Sequence, residues 1–220
     1  MFFIVISLFF SLATAPLHAA TASVTALMQA SIADNLDKVN DLLEEDPTLV
    51  FATTDQLETA LHFAARHDNA EVAEALLDNN ANKNAHSLEG LCPLHYAAQN
   101  GKERTTKTLC KVACDVNRTC ARYGRTAMHY AATNGHAGVI RILAAYEGNL
   151  EAQTPDLWYT PLHCAAIENQ AQAAGALVAL GANVDATDIA GNTPLTYAML
   201  NDYHDTISAI ITANLATNSQ

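Results

Sequence analysis

Positive charge is what this chain has least of. Against 23 Asp and Glu stand 11 Lys and Arg, a formal net charge of −12 over 220 residues. From Ile142 onward there is no Lys or Arg, and the first 22 residues carry no charged side chain. An acidic chain repels phosphates, which excludes general nucleic-acid binding. Seven of the eleven cations fall between Lys102 and Arg125, so the chain is acidic toward both ends with a basic belt in the middle. Long apolar runs are equally scarce. One, from Phe2 to about Ala13, lies in the opening MFFIVISLFFSLATAPLHAATA; no later segment is long and apolar enough to cross a bilayer. Residues 1–22 read as a signal peptide cut after the small-x-small site Ala20-Thr21-Ala22, leaving Ser23 at the start of the mature chain. The opening has no Lys or Arg before its apolar run, and an uncleaved anchor is the alternative. The expectation is a secreted or periplasmic protein with no membrane segment after cleavage.

Catalytic signatures are missing too. The chain contains no HExxH, GxSxG, Walker or dinucleotide-binding pattern. His67, His136 and His204 are scattered, with no carboxylate at a shared spacing. Neither a metal nor a cofactor is called for.

What the chain does have is a repeat. ETALHFAARHD, LCPLHYAAQNG, RTAMHYAATNG and YTPLHCAAIEN are variants of one phrase, with origins at Thr59, Cys92, Thr126 and Thr160. Extending the register adds Thr25 before and Thr193 after, in steps of 34, 33, 34, 34 and 33 residues. Five residues past each origin stand Ala30, Ala64, Ala97, Ala131, Ala165 and Ala198. Seventeen past stand Leu42, Leu76, Leu109, Leu143, Leu177 and Ile210. Nine past stand Asp34, Asp68, Gly101, Gly135, Asn169 and Asp202, all types that tolerate a left-handed backbone and so can close a helix. Each unit reads as a helix pair. The origin residue caps the first helix, with Pro93, Pro161 and Pro194 in its first turn. A second helix has apolar residues at Val139, Ile140, Leu143 and Ala144 in the fourth repeat. One such pair cannot cover its own apolar face, so the repeats must stack.

This pattern resembles the ankyrin repeat, whose signature is T-P-L-H-x-A over about 33 residues. The resemblance covers Thr25 to about Asn214 and implies an all-α solenoid of six stacked helix-turn-helix units with β-hairpin-like fingers. The repeat domain is placed at 23–214, with a polar tail over 215–220. Met28 and Thr196 replace the signature His in the outer repeats, where caps belong. The third and fourth repeats each carry one extra residue in the following finger. By resemblance, His62, His95, His129 and His163 are scaffold, bridging turn and helix within and between repeats. Asn117-Arg118-Thr119 is formally a glycosylation sequon, at a position where such repeats use Asn for a finger hydrogen bond.

Cys92 replaces a capping Thr, at a cost on the order of 1 kcal/mol. Cys110 sits where other repeats have Leu43 or Leu77, as a buried thiol. Cys114 follows that helix on the side of Cys92, so a Cys92–Cys114 disulfide is the candidate pairing in an oxidising compartment, with Cys114–Cys120 competing. Five cysteines leave at least one thiol unpaired. A metal site from Cys110, Cys114, Cys120 and a His lacks the second ligand pair of a closed zinc site.

By the same resemblance, finger tips and first-helix surfaces form a concave strip that grips another protein. The finger before the fourth repeat carries Arg118, Arg122, Tyr123 and Arg125; the next carries Asp156, Leu157, Trp158, the only Trp, and Tyr159. First-helix positions add Arg66/His67, Gln99/Asn100, Thr133/Asn134 and Ile167/Glu168. Arg, Trp and Tyr dominate interface hot spots. Trp158 and Tyr159 packing on the neighbouring finger is the competing reading. The leading function is a monomeric, non-catalytic scaffold for a partner protein. A bacterial effector delivered to a host cell, and a thiol redox or metal protein centred on Cys92, Cys114 and Cys120, are the alternatives.

Overall fold

The structure, a computed structural model, describes residues 22–112 and 114–217; apart from its last residue, the segment read as a signal peptide lies outside them. Six helix pairs follow one another. They are α1 (22–32) with α2 (Leu36–Glu45), α3 (Ala60–His67) with α4 (Ala70–Asp78), and α5 (Pro93–Gln99) with α6 (Glu103–Lys111). Then come α7 (Ala127–Thr133) with α8 (Ala137–Ala145), α9 (Pro161–Ile167) with α10 (Ala171–Ala179), and α11 (Pro194–Leu200) with α12 (His204–Thr217). A 3-10 turn, Pro47–Phe51, follows α2. First helices stack on first helices from α3 to α11, and second on second from α2 to α12. Among the described residues there is no strand, and the array is an all-α ankyrin solenoid.

The residues that set the register also set the geometry. All six helix-closing positions are left-handed, with φ between 54° and 79°. The alanines five past the origin are buried because the neighbouring first helix packs directly on them, and the Leu/Ile row seventeen past fills the space under the second helices. Side chains reach between repeats as well. Asn69 Nδ2 donates to the carbonyls of Ser31 (2.6 Å) and Ile32 (3.0 Å), and His136 Nε2 donates to that of Gln99 (3.0 Å). Asn117 donates to the Glu147 carbonyl (3.0 Å) and accepts from Asn149 N–H (2.6 Å), so both ends of its amide are engaged across the repeat boundary.

The fingers close like hairpins without becoming strands. In the second, Ser87 N–H donates to Leu91 C=O and Gly90 N–H to Ser87 C=O, both within five residues. In the third and fourth the same closure spans one residue more, Cys120 to Arg125 and Thr154 to Tyr159, which places the extra residue in the turn. The end repeats differ for a reason. A His at position 196 would aim Nε2 where no seventh repeat offers a carbonyl among the described residues; Thr196 instead meets Thr193 Oγ1 at 3.0 Å, within its own turn. Helix α12 runs to Thr217, so residues 215–217, read from sequence as tail, are helical.

Candidate partner-binding surface

A column of four imidazoles holds the fingers in place. The Nδ1 of His62, His95, His129 and His163 accepts the backbone N–H of Thr59 (3.0 Å), Cys92 (3.2 Å), Thr126 (3.1 Å) and Thr160 (3.3 Å). Each Nε2 donates to the last carbonyl of the next finger: Leu91 (3.1 Å), Arg125 (3.2 Å), Tyr159 (2.9 Å) and Asn192 (3.1 Å). An amide N–H only donates, so Nδ1 must be the acceptor and the single ring proton sits on Nε2. These rings are therefore neutral. Burial, opposed only in part by the carbonyl bond, holds His62, His95 and His129 down to about 4, and lowers His163 as well.

The finger tips expose apolar side chains along one edge of the array: Leu57, Leu88, Tyr123, Leu157 with Trp158, and Ile189. The residue two before each origin from Thr59 onward turns the corner in the left-handed region, at Leu57, Gly90, Gly124, Trp158 and Gly191. Two fits between neighbouring fingers result. At Gly90 a Cβ would lie 2.5 Å from Ala121 Cβ, and at Gly124 one would lie 2.8 Å from Pro155 Cγ, so these corners nest against the next finger. Where the corner is Leu57 or Trp158, a backbone bond joins the fingers instead, from Leu88 N–H to Gln56 C=O (2.8 Å) and from Ile189 N–H to Leu157 C=O (3.2 Å). Trp158 is 48% exposed at φ 60°, a conformation that costs a residue with a Cβ about 1–2 kcal/mol.

The contact of Gly124 with Pro155 sets two groups side by side. On one finger, the Arg122 and Arg125 guanidinium carbons lie 5.1 and 5.9 Å from the ring centre of exposed Tyr123. On the next, Asp156 accepts Leu157 N–H (2.8 Å); hydrogen bonds from Thr154 and Leu157 hold its carboxyl below the usual range. Arg118 is not with them: it turns back to His86 Nε2 at 2.5 Å. Tyr159 also leaves the tip. Its ring stacks on His163 at 5.8 Å, and its hydroxyl lies 3.0 Å from that of Tyr197. Asn100 and Asn134 face solvent but use Nδ2 to close their own helices, on Tyr96 C=O (2.8 Å) and Tyr130 C=O (2.9 Å). Half-buried Thr133 lies one residue before that cap.

A concave hollow of about 230 Å³ at the second and third repeats was not singled out from sequence. There Arg66 pairs with Glu58 and lies 4.5 Å over the Tyr96 ring, whose hydroxyl donates to Glu58 Oε1 (2.8 Å). The signal was a Glu immediately before an origin, in line with an Arg seven past it.

All five cysteines are free and buried. The Cys92–Cys114 pairing is not formed. Cys92 acts as a thiol version of the capping Thr, with Sγ 3.0 Å from His95 Nδ1, while Cys114 shares a hydrogen bond with Cys110. Cys114–Cys120 is not formed either; Cys120 Sγ lies 3.3 Å from Tyr130 Oη. Burial pushes the Cys92 and Cys164 thiols up, and the bond shared with Cys110, together with burial, pushes Cys114 up, so thiolate nucleophiles are disfavoured there. Among the described residues no three His, Cys, Asp or Glu side chains converge as metal ligands. No described helix is long and apolar enough to cross a membrane.

Known proteins share the repeat rather than a whole architecture. The family model for ankyrin repeats (3 copies) matches residues 80–156 and 147–220, and that for ankyrin repeats (many copies) matches 42–97. A Caenorhabditis elegans transient receptor potential cation channel subfamily A member 1 homolog is 36% identical over 85 residues, which is 39% of this chain and 7% of that protein. The Arabidopsis thaliana E3 ubiquitin-protein ligase XBAT33 is 32% identical over 108 residues, 49% of this chain and 21% of the ligase. The chain thus spans about a fifth or less of these relatives.

Proposed function

We propose that this chain, which belongs to the ankyrin-repeat family, is an exported, monomeric, non-catalytic scaffold that grips a partner protein with its third and fourth fingers. The observation that carries this reading is the pairing of Arg122, Tyr123 and Arg125 with Leu157 and Trp158 on two touching finger tips. Such side chains cost solvation and strain when left at a tip, and a partner that covers them offsets both. The imidazole column supplies the rest of the mechanism. Fingers tied to the preceding repeat are ordered before binding, so association loses little conformational entropy. Similarity to the channel and the ligase is confined to a minor part of each, and brings neither transport nor ubiquitin transfer to this chain.

Capture from the native extract tests the surface. Wild-type protein is expected to retain one partner that an Arg122→Glu, Trp158→Ala variant of equal helicity loses, by tenfold or more on the scale of interface hot spots. Equal retention by both moves the site off these fingers. Export, supported by the uncharged apolar opening, is read from the intact mass of the native protein. A species beginning near Ser23 is expected, and a full-length one would sink this part of the reading.

A further inference from the structure

We propose that the outward groove between α6 and α8 is a second docking site, one that takes an acidic amphipathic helix of a partner protein. The groove encloses about 440 Å³ on the face opposite the fingers' concave strip. Its origin is local. Twelve and nineteen residues past the origin, outward positions hold Glu71 and Asp78 in α4 and Arg104 and Lys111 in α6, but Gly138 and Ala145 in α8. The Glu103 carboxylate takes the space over Gly138, and the short side chain at Ala145 leaves a hollow whose apolar wall is Ile142, Ala145 and Tyr146. Both helices turn their other faces inward, burying Leu109 and Cys110 in one and Ile140 and Leu143 in the other.

The charge at the rim selects the occupant. Arg104 is paired with Glu71. Lys107 and Arg141 line the same groove and, among the described residues, enter no ion pair; with Glu103 as the one carboxylate of the lining, cations outnumber carboxylates there three to one, although carboxylates outnumber cations 23 to 11 in this chain. A rim of net positive charge beside an apolar wall matches a segment with apolar side chains in one stripe and carboxylates flanking it. A helix is the form that fits, because a groove between two helices offers no free backbone edge for a strand and takes side chains spaced three and four apart. This site is independent of the fingers.

The test uses a fluorescein-labelled 16-residue helical peptide with a Leu stripe flanked by Glu, and a counterpart with Lys for every Glu. Anisotropy is read against the full chain. The Glu peptide is expected to bind, and the Lys peptide to bind at least about tenfold more weakly. Lys107→Glu with Arg141→Glu is expected to weaken the Glu peptide about tenfold or more, and so is Ala145→Phe, which fills the hollow without altering charge. Arg122→Glu with Trp158→Ala is expected to leave it unchanged. Far-UV circular dichroism establishes that each variant is folded. The proposal is overturned if the Glu peptide does not bind, if both peptides bind alike, or if either folded groove variant keeps full affinity. Concentration-dependent dimerisation that the groove variants abolish would assign the groove to a second copy, and also overturns it.

Discussion

Acidification from neutral pH is expected to unfold this protein before about pH 4. His62, His95 and His129 accept a backbone N–H at Nδ1, the atom a second proton would occupy, and burial holds each ring down to about 4 from an ordinary 6.5. The unfolded chain therefore binds more protons throughout that interval. Stability is full above pH 6.5 and drains as pH falls through the window, until the folded rings themselves protonate near 4. At about 1.4 kcal/mol per pKa unit the three rings together carry on the order of 10 kcal/mol, comparable with the roughly 5–15 kcal/mol that holds a typical domain. Urea midpoints measured at half-unit intervals should fall steadily below pH 6.5, with helical signal lost near 4. A midpoint unchanged from neutral to pH 4.5 would refute this account. The same bonds pin Leu91, Arg125 and Tyr159, so partner retention on the fingers is expected to fail over the same interval.

The parts of this architecture that were legible in the sequence are those where one residue type answers one local demand. A left-handed closing residue admits Gly, Asn or Asp, and the six positions nine past the origins hold only those. The fifth-position alanines announce close helix approach in the same way. What escaped the reading depends on contacts that no residue type announces, some more than thirty residues apart and some within one turn of a helix. Tyr159 belongs to the fourth finger by sequence, yet Tyr197 and His163 draw its ring inward. Asn100 and Asn134 look like surface polar residues until the unbonded carbonyls at the helix ends are counted, which their amides then satisfy. Trp158 was visible as the only Trp, but its left-handed corner was not, because the choice between a nested and a bonded fit lies with the next finger. The groove beside α8 is harder still to foresee, because it depends on one short side chain, Ala145, between long neighbours.

Leu143→Ala is expected to lower stability by about 3–5 kcal/mol and to split the unfolding transition in two. Leu143 is fully buried in the fourth repeat, in the Leu/Ile row that fills the space under the second helices. A fully buried Leu loses the apolar contacts made beyond its Cβ on truncation and leaves a cavity, which puts the cost within the usual range for such changes. Each repeat leans only on its neighbours, so a defect at the centre uncouples the two halves where one at the end merely frays it. Ile210→Ala, at the same register position in the last repeat, should therefore leave the third and fourth fingers joined. The single Trp makes the difference visible, because Trp158 follows the fourth repeat directly. In urea, its fluorescence and the far-UV helical signal should move together in the parent. In Leu143→Ala the Trp should respond first, while helices remote from the fourth repeat persist to higher denaturant. Coincident curves with a loss below about 1.5 kcal/mol would mean that the array unfolds as one body and that its centre relaxes around the missing side chain.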